Sequence, residues 1–315
     1  MKRYFLLFAF LALTLGCLAQ KRVVFTPRWT PQAQFAGYYV AKEKGFFKDE
    51  GLDVVIKHIK PNSKLNSVEM LNRGMTNIIG ASVFEGLAAR ENDIELVNFL
   101  QTSQKGALMC VANFPIKDPK ALNGKKIGSW KRVSKHVADM FFADKNIKVE
   151  WIPFMQGINL FLAKAIDATL CYSFNEYIRL LFAKGEIPPE NVLRFSDKGY
   201  DFPEDALFAT KDYYMENRDI IEAFRRASIA GWDYCRTHKE EALKIVKKYT
   251  DAEHVQTNNY FQSIMLDEIL RLQEKSNSGT AAFTPITEPT YKRIVGIMRK
   301  LGCLHKNVEY NDFIR

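Results

Sequence analysis

The sequence predicts an α/β protein of two sheet-containing units facing each other across a cleft. Three observations carry that expectation. Short apolar runs alternate with glycine-ended amphipathic runs from Arg22 to about residue 100. The same rhythm restarts after Gln104 and continues to about residue 200, and beyond Asp205 it gives way to amphipathic helix.

In the first unit, Val23-Val24-Phe25 reads as a strand, Phe35 to Lys44 as a helix stopped by Gly45, and Leu52 to Ile56 as the next strand. A helix from Val68 to Asn72, ended by Gly74, precedes a strand from Asn77 to Gly80, a helix from Val83 to Arg90 and a strand from Leu96 to Leu100. Strand, helix, strand repeated in this way is the mark of βαβ units and predicts a largely parallel sheet.

In the second unit, Ala121 to Trp130 reads as a turn and strand, Val133 to Ala143 as a helix and Val149 to Ile152 as a strand. Helices over Gly157 to Ala165 and Asn175 to Lys184 flank a strand over Asp167 to Cys171. After a short strand, Ala206 to Thr210, the chain is mainly helix, with apolar residues of Ile220 to Trp232 at helical spacing. These helices have no sheet of their own to cover, so the first unit is their natural partner. The chain is then expected to cross between units near 103–112 and 198–210.

The first twenty residues carry Lys2-Arg3, an apolar run from Tyr4 to Gly16 and then small residues, the pattern of an export leader. Cleavage after Ala19 and lipid attachment at Cys17, in Leu13-Thr14-Leu15-Gly16-Cys17, both fit. The protein is therefore expected to be exported, either free in the periplasm or tethered to a membrane face. The formal charge of +9 falls by two with the leader, and the remaining Lys and Arg are interspersed with acids. No basic patch points to nucleic acid. Cys110, Cys171, Cys235 and Cys303 have neither CxxC nor CxxH spacing, and they read as isolated buried thiols.

Ligands of open parallel sheets collect at the carboxyl ends of strands. That rule selects Trp29, Ser82, Trp130 and the run Tyr172-Ser173-Phe174-Asn175-Glu176. The set is aromatic with a few polar heads, which suits a flat ring with hydrogen-bonding edges better than a phosphate or sulfonate. Trp29 stands out, a large ring placed in a turn between Pro27 and Pro31. Arg28 reads as a solvated turn residue or an anion contact, and Phe35 and Tyr38 as core or cleft lining. Trp151 and Trp232 read as core, His136 as a surface residue, and Glu204-Asp205 as a turn and helix-start device. The sequence holds no HExxH, GxSxG or kinase motif, and its five histidines are scattered.

Thr26-Pro-Arg-Trp-Thr-Pro-Gln-Ala-Gln-Phe-Ala-Gly-Tyr-Tyr-Val-Ala41 and its continuation to Ile56 resemble the opening block of bacterial periplasmic binding proteins for the pyrimidine precursor of thiamine. Val97 to Met109, Leu122 to Gly128, Asp167 to Tyr177 and Gly199 to Asp205 agree in order and spacing, so the resemblance covers about residues 22–250. It implies a type 2 periplasmic binding protein with two α/β lobes, a central cleft and two hinge crossings. Lobe 1 would be residues 20–108 and 206–315, lobe 2 residues 109–205, with 1–19 the leader.

By the same resemblance the protein delivers an aminopyrimidine to the permease and ATPase subunits of an ABC importer, without cofactor, metal or catalysis. Trp29 is expected to stack on the ring, Glu176 to accept from its amine and Asn175 to meet a ring edge. Gln34, Tyr38 and Phe202 complete the expected ligand-binding set with Ser82, Trp130 and Tyr172. The family also shares its fold with eukaryotic thiamine-pyrimidine synthases. Here Ala81 stands where their lysine should be and Glu85 where their histidine should be, and the cysteine cluster has no counterpart around Phe202 to Ala209. Binding of another small solute such as a sulfonate, a synthase-like enzyme, and a sensor on the same fold are the alternatives.

Overall fold

The computed structural model describes residues 20–60, 63–130, 135–154, 158–275 and 283–315. The expected leader with Cys17 lies outside the described residues, as do Val133 and Gly157, where two expected helices begin. The strands are β1 (Lys21–Thr26), β2 (Leu52–Ile56), β3 (Ile78–Ala81), β4 (Leu96–Gln101), β5 (Leu108–Ala112), β6 (Lys126–Trp130), β7 (Glu150–Phe154), β8 (Ala168–Tyr172), β9 (Val192–Arg194) and β10 (Ala206–Thr210). Described helices of eight residues or more are α1 (Ala36–Glu43), α2 (Val83–Glu91), α3 (His136–Asp144), α4 (Glu176–Lys184), α5 (Arg218–Thr237), α6 (Lys239–Ala252), α7 (Asn259–Leu272) and α8 (Glu288–Lys300).

The strands form two five-stranded sheets, ordered β2-β1-β3-β10-β4 and β7-β6-β8-β5-β9. The expectation of largely parallel sheets holds for four of the five strands of each sheet and needs one correction. In the first sheet β10 runs antiparallel to both β3 and β4, and in the second β5 runs antiparallel to both β8 and β9. The reason is where the chain crosses. Ala206, the first residue of β10, lies opposite Ala81 and Gln101, the last residues of β3 and β4. Leu108, the first residue of β5, lies opposite Tyr172, the last of β8. A chain arriving at the carboxyl edge of a sheet can only run back down it. Both crossings therefore pass along the edges where ligands of such sheets collect.

Two further expectations are corrected. β5 and β9 were not anticipated, because Leu108-Met-Cys-Val-Ala112 is buried at every position and shows no alternation to separate strand from helix. The helix expected to reach Ala165 is only Asn159–Leu162, and Lys164, two residues beyond it, turns into the left-handed region with φ of 55°.

The C-terminal helices cover the first sheet. The face of α5 that carries Ile220, Ile221, Phe224, Ala227, Gly231 and Trp232 is buried, with the Phe224 ring 5.4 Å from Phe25 and 4.7 Å from Phe47. Each such ring contributes about 2 to 3 kcal/mol when withdrawn from water. α5 crosses α1 so closely that a Cβ on Gly231 would stand 2.0 Å from the Gly37 carbonyl oxygen. That approach seats Trp232 against Tyr38, edge to face at 5.6 Å. Trp232 is core as expected, whereas Trp151 is only half-buried, beside Phe142 and under the Lys135 ammonium. Cys110, Cys171 and Cys235 are buried free thiols and Cys303 is half-buried. No helix among the described residues is long and apolar enough to cross a membrane.

Candidate functional site

The turn after β1 is built before it is decorated. β1 ends at Thr26, and the next residues lead into a 3₁₀ turn, Ala33–Phe35, that starts α1. His58, just past β2, fixes this turn: its Nδ1 lies 2.7 Å from the Trp29 carbonyl oxygen and its Nε2 2.9 Å from the Tyr39 hydroxyl. A carbonyl can only accept, so Nδ1 carries the hydrogen and Nε2 accepts from Tyr39. Burial pushes His58 down to about 4 despite the Trp29 carbonyl, which favours the charged form. The ring is therefore neutral near pH 7. Trp29 itself is partly buried and packs against the core.

Next to Trp29, Arg28 is not a solvated turn residue. Its side chain is 8% exposed, with Nη2 3.0 Å from Glu85 Oε2 and Nη1 donating to the Glu204 carbonyl oxygen at 3.0 Å. Burial works against its charge, but Glu85, Tyr172, Asp205 and Glu204 more than offset that, so the guanidinium is held above its usual range. Glu204 and Asp205 are likewise not a turn and helix-start device. Glu204 Oε2 accepts from the Ala107 amide at 2.7 Å, tying the two crossings together. The Asp205 carbonyl accepts from the Thr102 and Ser103 amides, and its carboxylate accepts from Gln34 Nε2 at 2.9 and 3.0 Å. Burial pushes both carboxyls up, with Arg28 opposing.

The second unit supplies an aromatic wall. Trp130, at the end of β6, stacks on Tyr172 at 5.3 Å and 25°, and Tyr172 stacks on Phe174 at 5.1 Å and 16°. Phe154 meets the Trp130 edge at 5.7 Å. Glu176, in the first turn of α4, lies against this wall and is 8% exposed. Its Oε2 accepts from the Tyr172 amide at 3.1 Å, and the Trp130 side chain also bonds it. Burial raises the Glu176 carboxyl to about 7, against the opposing effect of those donors. A group that titrates at neutrality can act as donor or acceptor.

The structure brings Trp130, Tyr172 and Glu176 together. Of the other expected residues, Trp29 stands partly buried in the turn of the first unit, and the rest are engaged in bonds or packing of their own. Ser82 caps α2, accepting from the Glu85 amide at 3.1 Å and donating to Glu85 Oε2 at 2.8 Å. The Gln34 amide is taken by Asp205 and by Gln32, whose Nε2 lies 2.6 Å from Gln34 Oε1. Asn175 Oδ1 accepts from Arg179 at 3.2 Å. Tyr38 and Phe35 are buried, as is Phe202, whose backbone packs 3.1 Å from where a Gly106 Cβ would stand. His136 is exposed, as expected, yet its ring stacks on Phe84 of the other unit at 4.9 Å.

Sequence reasoning missed Arg28, His58, Glu204 and Asp205 as a built group. Only the presence of Arg28 next to Trp29 hinted at it. Among the described residues no cluster of His, Cys, Asp or Glu suited to a metal ion occurs.

Comparison with known proteins places this geometry. A Bacillus subtilis (strain 168) protein, YtlA, is 24% identical over 294 residues, covering 89% of this chain and 84% of its own. The formylaminopyrimidine-binding protein of Halalkalibacterium halodurans is 23% identical over 257 residues, 79% of this chain and 77% of that one. The crystal structure of the periplasmic aliphatic sulphonate binding protein SsuA from Escherichia coli superposes with a TM-score of 0.65 at 13% identity, over 93% of this chain and 97% of SsuA. This likeness shows the two-lobed fold of periplasmic binding proteins. The profile described as NMT1/THI5 like matches residues 32–242, and the chain belongs to that family.

Proposed function

We propose that the chain is the extracytoplasmic solute-binding protein of an ABC importer and that it captures an aminopyrimidine, a thiamine precursor, between its two sheet units. Glu176 carries the ligand class. A buried carboxyl near neutrality beside stacked rings suits a flat heterocycle with an amine next to a ring nitrogen. As the acid, its O–H donates to the ring nitrogen while its carbonyl oxygen accepts from the amine; as the carboxylate it accepts from the amine alone. A sulfonate or nitrate has no hydrogen to offer and meets repulsion once Glu176 ionises.

In this reading residues 20–108 with 206–315 and residues 109–205 are the two lobes. A ligand that touches Trp29 on one and Trp130, Tyr172 and Glu176 on the other favours the closed arrangement by those added contacts. The Glu204–Ala107 and Asp205–Ser103 bonds keep the crossings registered while the lobes move. A ligand of about ten heavy atoms at around −1 kcal/mol per atom reaches submicromolar affinity without metal or covalent help. The relative named for formylaminopyrimidine supports the ligand class. Synthase-like catalysis has no support: Ala81 is a buried apolar strand end, and Glu85 is occupied by the Ser82 cap and Arg28.

Calorimetry with 4-amino-5-hydroxymethyl-2-methylpyrimidine and its formylaminomethyl relative tests the reading. Submicromolar binding of either is expected. No heat with both, together with heat from an alkanesulfonate, would overturn it.

A further inference from the structure

Beside the crossings lies a cavity of about 630 Å³ whose lining includes none of Trp29, Trp130, Tyr172 or Glu176. That volume is in the range that holds small molecules. Its walls come from α4 and the end of β9, from both crossings at Gly106 and Asp201, and from α7. We propose that it is a second ligand site, for a small organic carboxylate with an apolar body.

One polar group argues for an anionic head. Arg194 lines the cavity, its guanidinium 5.9 Å from the Tyr177 ring centre, and no carboxylate among the described residues pairs with it. An open guanidinium fork selects carboxylates by its two parallel donors.

Among the other charges of the wall, which include Lys105, several are already matched or are exposed. Arg271 is bound twice to Glu268 at 2.6 and 2.7 Å, Asp201 accepts from the Gly106 amide at 2.5 Å, and Asp197 is exposed. Ile178, Leu181, Ile264 and Leu272 give the apolar surface that a bare inorganic anion leaves uncovered. Because α4 and α7 stand on different sheet units, an occupant touching both would favour the arrangement that brings them together.

Saturation-transfer NMR and calorimetry with benzoate as the probe, and inorganic phosphate as the control, decide the proposal on the full-length mature protein. Benzoate is expected to bind, Arg194→Gln to weaken it by about tenfold or more, and Trp29→Ala and Glu176→Gln to leave it unchanged. Arg194→Lys, which keeps the charge and loses the fork, serves if the first variant unfolds, and it too is expected to weaken benzoate. No benzoate binding on the order of 10 mM, unchanged binding in a folded Arg194 variant, loss of binding in the Trp29 variant, or phosphate binding as tightly as benzoate would each overturn it. A failed aminopyrimidine titration leaves these outcomes untouched.

Discussion

Glu176→Gln is expected to make the protein more stable and a poorer binder at once. Burial raises the Glu176 carboxyl from 4.5 to about 7. At roughly 1.4 kcal/mol per pH unit, ionising it in the folded protein costs about 3 kcal/mol. The sign follows from proton counting. Between those two values the folded state holds the proton and the unfolded state has lost it, so stability falls as pH rises through the window. Glutamine keeps an oxygen for the Tyr172 amide and the Trp130 side chain and has nothing to ionise. Denaturant unfolding should therefore show Glu176→Gln ahead of the parent by about 2 to 3 kcal/mol at pH 8.5, with the gap closing toward pH 4.5. Calorimetry on the same samples should show the aminopyrimidine bound about tenfold or more weakly, since the variant loses both the acid O–H and the carboxylate. A variant no more stable than its parent at pH 8.5 would refute the assignment of a strained, functional carboxyl, and so would undiminished affinity.

Trp29→Ala should weaken the aminopyrimidine by about tenfold or more, the loss of one stacking surface; lowered melting temperature with unchanged affinity would make the ring structural. His58, held down to about 4, contributes stability that is complete above pH 6.5 and fades as pH falls toward 4. His58→Gln should flatten that acid limb in pH-dependent melting, removing up to about 3 kcal/mol of its slope. Arg28→Met leaves the carboxylates around it without their cation and should cost about 2 to 3 kcal/mol, below the usual range for a buried pair because Glu85 is 34% exposed. Gly231→Ala should cost several kcal/mol in denaturant unfolding, because its Cβ cannot coexist with the Gly37 carbonyl at 2.0 Å without moving α5.

What the sequence made legible was local. Periodicity and glycine stops located β1, β3, β6 and β8, and the strand-end rule then delivered Trp130, Tyr172 and Glu176 to one wall. What it hid was long-range. Arg28 and Glu204 are 176 residues apart, and nothing in Pro27-Arg28-Trp29 announces that a crossing strand will bury the guanidinium. His58 follows a strand in a charged stretch, and its role exists only because β2 pairs with β1. Ser82 follows the end of β3 as the strand-end rule expects, and Gln34 is implied by the resemblance, but their hydrogen-bonding capacity is spent on Glu85 and on Asp205. Position at a strand end selects candidates; only the hydrogen-bond partners show which of them have capacity left.

Native mass spectrometry of the mature protein purified from its own host, without added ligand, tests the central claim most directly. An adduct with the mass of an aminopyrimidine, lost in Glu176→Gln, is the predicted result. A sulfonate or other anion carried instead, and retained by that variant, would contradict it.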